Sequence, residues 1–210
     1  MKLTEKAFFA HHDRDVLAAL RQATVGVAGA GGLGSTVALS LARAGVGRLI
    51  IVDFDTVEPS NLNRQQYTTD QVGRPKALAL RDNLMAAQPF SRYDAGVERI
   101  TPNNIERCFG DADLLIEAFD RAEEKAMLIE AWCSLHPDLP IIGASGIAGW
   151  GSNESLATRR YGNLWLCGDF ESELEEGIAP MAPRVGIVAN MQANLAIELL
   201  VTSYRNRNNA

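Results

Sequence analysis

The 210-residue sequence predicts an α/β fold: a doubly wound, Rossmann-like sheet, mainly parallel, with a C-terminal β-hairpin or edge-strand region and a closing helix. Three observations carry this expectation. Short apolar runs alternate with stretches of helical period from residue 24 to residue 144. A glycine-rich turn, Gly29-Ala-Gly-Gly-Leu-Gly34, lies between the first strand and the first helix. An acidic residue, Asp53, closes the second strand.

Residues 1–22 read as an N-terminal helical segment, 23–145 as a nucleotide-binding core, 146–185 as a loop and strand region, and 186–203 as a closing helix. All belong to one unit, since this length suits one large domain. Thr24–Ala28 forms a buried strand, 33–44 a helix that Gly45 ends, and Arg48–Val52 a second buried strand. Such a strand, turn, helix and strand within about thirty residues make a mononucleotide-binding unit with a right-handed crossover.

The alternation continues with a helix over 75–87, a strand over 94–98, a helix over 103–109, a strand over 113–118, a helix over 122–134 and a strand over 140–144. Then Gly143, Gly146, Gly149 and Gly151 break the rhythm. Residues 158–161 and 164–167 suit a hairpin or edge strands. The acidic run 169–176 reads first as a solvated loop and second as a flap over the site. A long helix spans 186–201, and 205–210 is a polar tail expected to fray.

A net charge of -6 and a pI near 5.1 oppose general binding to nucleic acid or membrane, because the summed field repels phosphate. Any phosphate ligand therefore needs a local basic cluster. The N-terminal residues lack the apolar core of a signal peptide, and no run reaches the ~18 apolar residues of a membrane span, so a cytoplasmic protein is expected. Cys108, Cys133 and Cys167 are widely spaced and form no CxxC pair, which fits a reducing compartment. Zinc is not expected, although His11 and His12 leave a mixed site formally open. Cys108 and Cys133 fall on apolar helix faces and read as core residues. His12 and His136 show no carboxylate or hydroxyl partner in sequence and read as surface residues.

In the cradle Gly29, Gly31, Gly32 and Gly34 let backbone amides approach phosphate oxygens at a helix N-terminus. Asp53 follows at the spacing of a ribose-binding carboxylate. These features suit NAD or ATP equally.

The next segment separates the two nucleotides. Asp53-Phe-Asp-Thr-Val-Glu-Pro-Ser-Asn-Leu-Asn-Arg-Gln65, Val72-Gly-Arg-Pro-Lys76, Glu117-Ala-Phe-Asp120 and Met181-Ala-Pro-Arg-Val-Gly186 together resemble the ubiquitin-activating-enzyme-like superfamily, in its ThiF/MoeB/HesA branch and its short ThiF-type subgroup. The resemblance spans about residues 8–201. It implies an ATP-dependent adenylyltransferase, acting on the C-terminal Gly-Gly carboxylate of a small ubiquitin-like sulfur carrier and releasing pyrophosphate. It also implies that Gly31 and Gly34 border the phosphates, that Asp53 holds the ribose, and that Asn61, Arg64, Gln65 and Lys76 surround the triphosphate. Asp120 would hold Mg²⁺. In the family a homodimer completes each site with an arginine from a second subunit's N-terminal segment, for which Arg14 is the nearest match. The region 146–185 would face the carrier, with thiamine thiazole synthesis as the expected pathway.

The residue chemistry agrees with that assignment. Bringing a carboxylate to the α-phosphorus of ATP sets anion against anion, so cations must be placed locally. Arg64 offers a planar fork for phosphate oxygens and Lys76 a compact point charge. Position alone also allows Asp120 to cap the following helix, Arg64 and Lys76 to be surface charges, and Asn61 and Gln65 to be turn residues. Rival functions are an NAD-dependent oxidoreductase, a non-catalytic subunit of a paired activating enzyme, and an adenylating enzyme for a small molecule or a tRNA base.

Overall fold

The computed structural model describes residues 2–173 and 178–208. Two short helices, α1 (Glu5–Phe8) and α2 (Arg14–Gln22), lead into β1 (Thr24–Ala28), α3 (Gly32–Ala44) and β2 (Arg48–Val52). There follow α4 (Lys76–Ala87), β3 (Arg92–Gly96), α5 (Ile105–Phe109), β4 (Leu114–Glu117), α6 (Ala122–Leu135) and β5 (Ile141–Ala144). The chain ends in β6 (Ala157–Tyr161), β7 (Leu164–Gly168) and α7 (Ala182–Asn208). The strands form one sheet in the order β3-β2-β1-β4-β5-β7-β6. All neighbours pair in parallel except β6 and β7, an antiparallel hairpin with Tyr161 opposite Leu164.

Strand alternation decides which core each side chain enters. Val25, Val27, Leu49, Ile51, Leu114 and Ile116 share one core with Val37 and Leu41 of α3, Leu80 and Leu84 of α4, and Val188 and Ala189 of α7. Ala28, Ile50, Val52, Leu115 and Ile141 belong to the other, with Phe109 of α5 and Leu128 and Trp132 of α6. Two helical layers on one sheet result.

Several boundaries differ from expectation. The strand expected over 94–98 is β3, shifted toward the N-terminus because Tyr93 is the buried anchor and Val97 is exposed. The helix expected from 103 begins at Ile105, after a turn closed by Asn104 Oδ1 accepting from the Thr101 N–H. The closing helix starts four residues early, at Ala182, with Pro183 tolerated in its first turn. It also absorbs most of the tail expected to fray, where Asn208 Nδ2 donates to the Tyr204 carbonyl. An 18-residue window of α7 has mean hydropathy 1.4 and meets the length and apolarity of a membrane span, yet half of it is buried in this fold.

Cys167 is fully buried, while Cys108 and Cys133 are half-buried against the second core. Burial pushes all three thiols up. His136 does have a carboxylate partner, which the fold supplies from another helix: its Nε2 sits 2.8 Å from Glu106 Oε2, and its ring lies beside that of Trp132.

Candidate nucleotide and substrate site

A cavity of about 720 Å³ opens at the carboxyl ends of the central strands. Its floor is the glycine turn. Gly29 has φ of 95°, donates its N–H to the Val52 carbonyl at 2.9 Å, and leaves no space for a Cβ beside the Ala118 carbonyl. Gly31 caps α3 and offers it no side-chain bond, so the first amides of that helix are open to an anion. Gly31, Gly32 and Leu33 line the cavity. Gly34 does not: it lies inside α3, where any side chain would strike the Gly29 carbonyl. Its contribution is to let helix and turn touch.

Asp53 is nearly buried and braces the turn, accepting from the Ala30 N–H at 2.6 Å and the Asp55 N–H at 2.7 Å. Burial pushes its pKa up, against the pull of those amides and of Lys76. Both carboxylate oxygens are therefore already engaged, and a ribose would use their remaining lone pairs. Lys76, the first residue of α4, is buried and pairs with Asp55 Oδ2 at 2.9 Å, so it is no surface charge. Arg64 lines the cavity and is steered by the Ser60 carbonyl at 3.1 Å and Asn63 Oδ1 at 2.9 Å. Gln65 also lines the cavity, and its buried Oε1 has no partner among the described residues.

Asn61 stands apart from this group. It accepts from the Glu58 N–H at 3.0 Å in a capping box and does not line the cavity. Its placement is that of a turn residue supporting Arg64. Asp120 is exposed, lines the cavity and makes no side-chain hydrogen bond among the described residues. Arg121, not Asp120, is the cap of α6, and it makes no side-chain cap bond, so Asp120 is not spent on capping. Arg14 begins α2, is exposed, and lies outside the cavity of its own chain.

Sequence reasoning misses several cavity residues. Asp55 lies within the quoted motif, and its spacing two residues after Asp53 is the available signal for a role beside Lys76. Arg99 stacks over Phe54 at 3.8 Å and both line the cavity, a pairing invisible between residues so distant in the chain. Behind the cavity lining, Glu117, fully buried at the end of β4, accepts from Nζ of the cavity residue Lys125 at 2.7 Å and from the Phe119 N–H at 2.7 Å. Burial pushes its pKa up while Lys125 opposes that shift.

The far wall is formed by residues 145–148 with Ser172, Glu173, Pro180 and Val185. Here the solvated-loop expectation for the acidic run fails at its start. The Asp169 side chain is almost wholly buried and pairs with Arg184 of α7, because its carboxylate folds inward onto the Ser172 and Glu171 amides. Residues 174–176 of that run lie outside the described residues.

A Thermus thermophilus sulfur carrier protein adenylyltransferase is 42% identical over 113 residues, 53% of this chain and 42% of that protein. The chain thus spans less than half of that relative's length. The Escherichia coli sulfur carrier protein ThiS adenylyltransferase is 31% identical over 180 residues, covering 83% of this chain and 70% of the relative. In fold, the E. coli tRNA N6-threonylcarbamoyladenosine dehydratase TcdA, solved with ATP, superposes with a TM-score of 0.85 over 98% of this chain and 99% of that one, at 19% identity. The ThiF family model matches residues 3–210, nearly the whole sequence, and the chain belongs to the ThiF family.

Proposed function

We propose that the chain is an adenylyltransferase that uses ATP to activate the C-terminal Gly-Gly carboxylate of a small ubiquitin-like, ThiS-like sulfur carrier, releasing pyrophosphate, in thiamine thiazole synthesis. The observation that carries this reading is that Lys76, Arg64 and an uncommitted Asp120 line one cavity with the open N-terminus of α3. Hydride transfer from a nicotinamide would require none of those three groups. Both relatives described above are named as sulfur carrier adenylyltransferases.

In the reaction the carrier carboxylate oxygen attacks the α-phosphorus, an acyl–phosphate bond forms, and the bond to the β-phosphate oxygen breaks. The amides at Gly31 and Gly32 and the Arg64 guanidinium bind the phosphates. Lys76 exchanges its Asp55 partner for phosphate oxygens and follows the departing charge. Asp53 orients the ribose. Asp120, exposed, lining the cavity and without a side-chain hydrogen bond among the described residues, fits Mg²⁺ held by one carboxylate together with phosphates and water. Asp120 would hold that ion, which supplies charge neutralisation on the phosphate oxygens when bound.

Arg14, exposed and away from its own cavity, would complete the site of a second copy in a homodimer. The enzyme would act in the cytoplasm, without a nucleic acid or membrane partner. The test is ATP–pyrophosphate exchange with a carrier ending in a free Gly-Gly carboxylate and with the same carrier amidated. Exchange with the free acid alone supports the reading. Equal exchange with the amide, or equal efficiency with a small carboxylic acid or a tRNA, assigns the chain another substrate.

A further inference from the structure

On the reading above, ATP occupies the ends of β2, β1 and β4, where Asp53, the glycine turn and Asp120 lie. Further along the sheet, beyond β5 and β7, run two irregular segments, 145–151 and 169–172, of which residues 145–148 and Ser172 line the cavity. This is the side left for the second substrate. The segments hold each other through a few bonds: the Asp169 N–H donates to the Gly146 carbonyl at 3.1 Å, the Phe170 N–H to the Ser145 carbonyl at 3.1 Å, and the Ala148 N–H to Ser172 Oγ at 3.1 Å.

One ion pair ties both segments to the helix. Asp169 Oδ1 accepts from the Glu171 and Ser172 N–H groups at 2.9 and 2.8 Å, and Oδ2 pairs with Arg184. Arg184 also donates to the Gly151 carbonyl at 2.5 Å. The two side chains are 9% and 4% exposed, so losing either partner leaves the other charge largely buried. Although burial pushes the Asp169 pKa up, the Ser172 and Glu171 amides and Arg184 hold it below the ordinary value, so the pair is charged at neutral pH. Gly146, with φ of 74°, lies so close to Asp169 that no side chain fits there. Neither Asp169 nor Arg184 lines the cavity.

We propose that the Asp169–Arg184 ion pair is a positioning device for the second substrate: it locks segments 145–151 and 169–172 to the start of α7 and thereby fixes the wall along which a glycine-ended carboxylate chain reaches the nucleotide. The substrate class rests on the proposed function. Arg64, Lys76 and Asp120 serve the nucleotide, whereas this pair serves the acyl group.

Asp169→Asn keeps the acceptor for the two amides and removes the charge; Arg184→Met removes the other partner; Arg184→Lys keeps the charge. With a Gly-Gly-ended carrier, the first two variants should raise the carrier KM in pyrophosphate exchange by about 10- to 100-fold, the cost of misplacing a reactant without touching the chemistry. ATP affinity by calorimetry should stay within about twofold, since neither side chain of the pair lines the cavity. Arg184→Lys should recover part of the loss. An unchanged carrier KM, or an equal loss of ATP affinity, overturns the proposal. Hydrogen exchange gives a readout free of any substrate: in Asp169→Asn, amides of 145–151 should exchange faster while those of 29–34 do not. Unaltered protection across 145–151 overturns the latch. Absence of carrier-dependent exchange in the wild type, with the expected hydrogen exchange in the variant, would instead reject the carrier as substrate and leave the latch standing.

Discussion

The two walls of the cavity are built by opposite means. The wall at β1, β2 and β4 rests on regular strands, a helix N-terminus and glycines packed tightly against the backbone around them. The wall beyond β5 and β7 is irregular backbone, held by Arg184 reaching back 15 residues to Asp169 and 33 residues to Gly151. The first wall would bind a nucleotide, whose phosphates are the same in every enzyme that uses ATP. The second would meet the acyl substrate, which differs between enzymes. Irregular segments suit that task because their length and course can change without breaking the sheet.

The two walls can be disturbed to different extents. The largest effect is expected for Asp120→Ala, which should reduce adenylate formation by about 1,000-fold through loss of metal binding. Its melting temperature should shift by no more than a few degrees, because the carboxylate is exposed and unpaired among the described residues. Exchange at the wild-type rate would remove Asp120 from the site. Lys76→Ala comes next, with a loss of about 100-fold in pyrophosphate exchange. Since Lys76 is buried beside Asp55, that variant should also melt earlier, and a loss below tenfold would restrict Lys76 to a structural role.

The smallest effect separates the walls by pH. Asp53 has its folded pKa raised, so the fold favours its protonated form and its ionised form costs stability as pH rises through the ordinary value. Asp169 has its folded pKa lowered, so its contribution is present above the ordinary value and is lost as pH falls through the folded one. On acidification, ATP affinity should therefore weaken before amide protection over 145–151 is lost. Hydrogen exchange and calorimetry over the same pH series check the order. Loss of protection first would contradict the assignment of the two carboxylates.

The same contrast explains what was legible in the sequence. β1 and β2 match their expected bounds to the residue because both are flanked by strong signals, a glycine turn and Gly45. β6 and β7 form the hairpin that 158–161 and 164–167 suited, although β6 is exposed along its whole length. Gly29, Gly31, Gly32, Arg64, Gln65, Lys76 and Asp120 all reach one cavity, in keeping with the motifs that carry them. Gly34 and Asn61 lie outside the lining of that cavity, Gly34 packed against the Gly29 carbonyl and Asn61 accepting from the Glu58 N–H. The buried roles of Asp169, Arg184 and Glu117 could not be read, because each depends on a partner brought close by the fold. An acidic run reads as solvent-facing unless the arginine that meets it is known.

Mass spectrometry of a Gly-Gly-ended carrier, after incubation with the enzyme, ATP and Mg²⁺, puts the proposed activity to its sharpest test. One adenylyl group is expected on the carrier's C-terminal carboxylate, with pyrophosphate released in equal amount and no adduct on an amidated carrier. An unmodified carrier in the presence of bound ATP would contradict that activity, as would an adenylyl group placed on any other atom of the carrier.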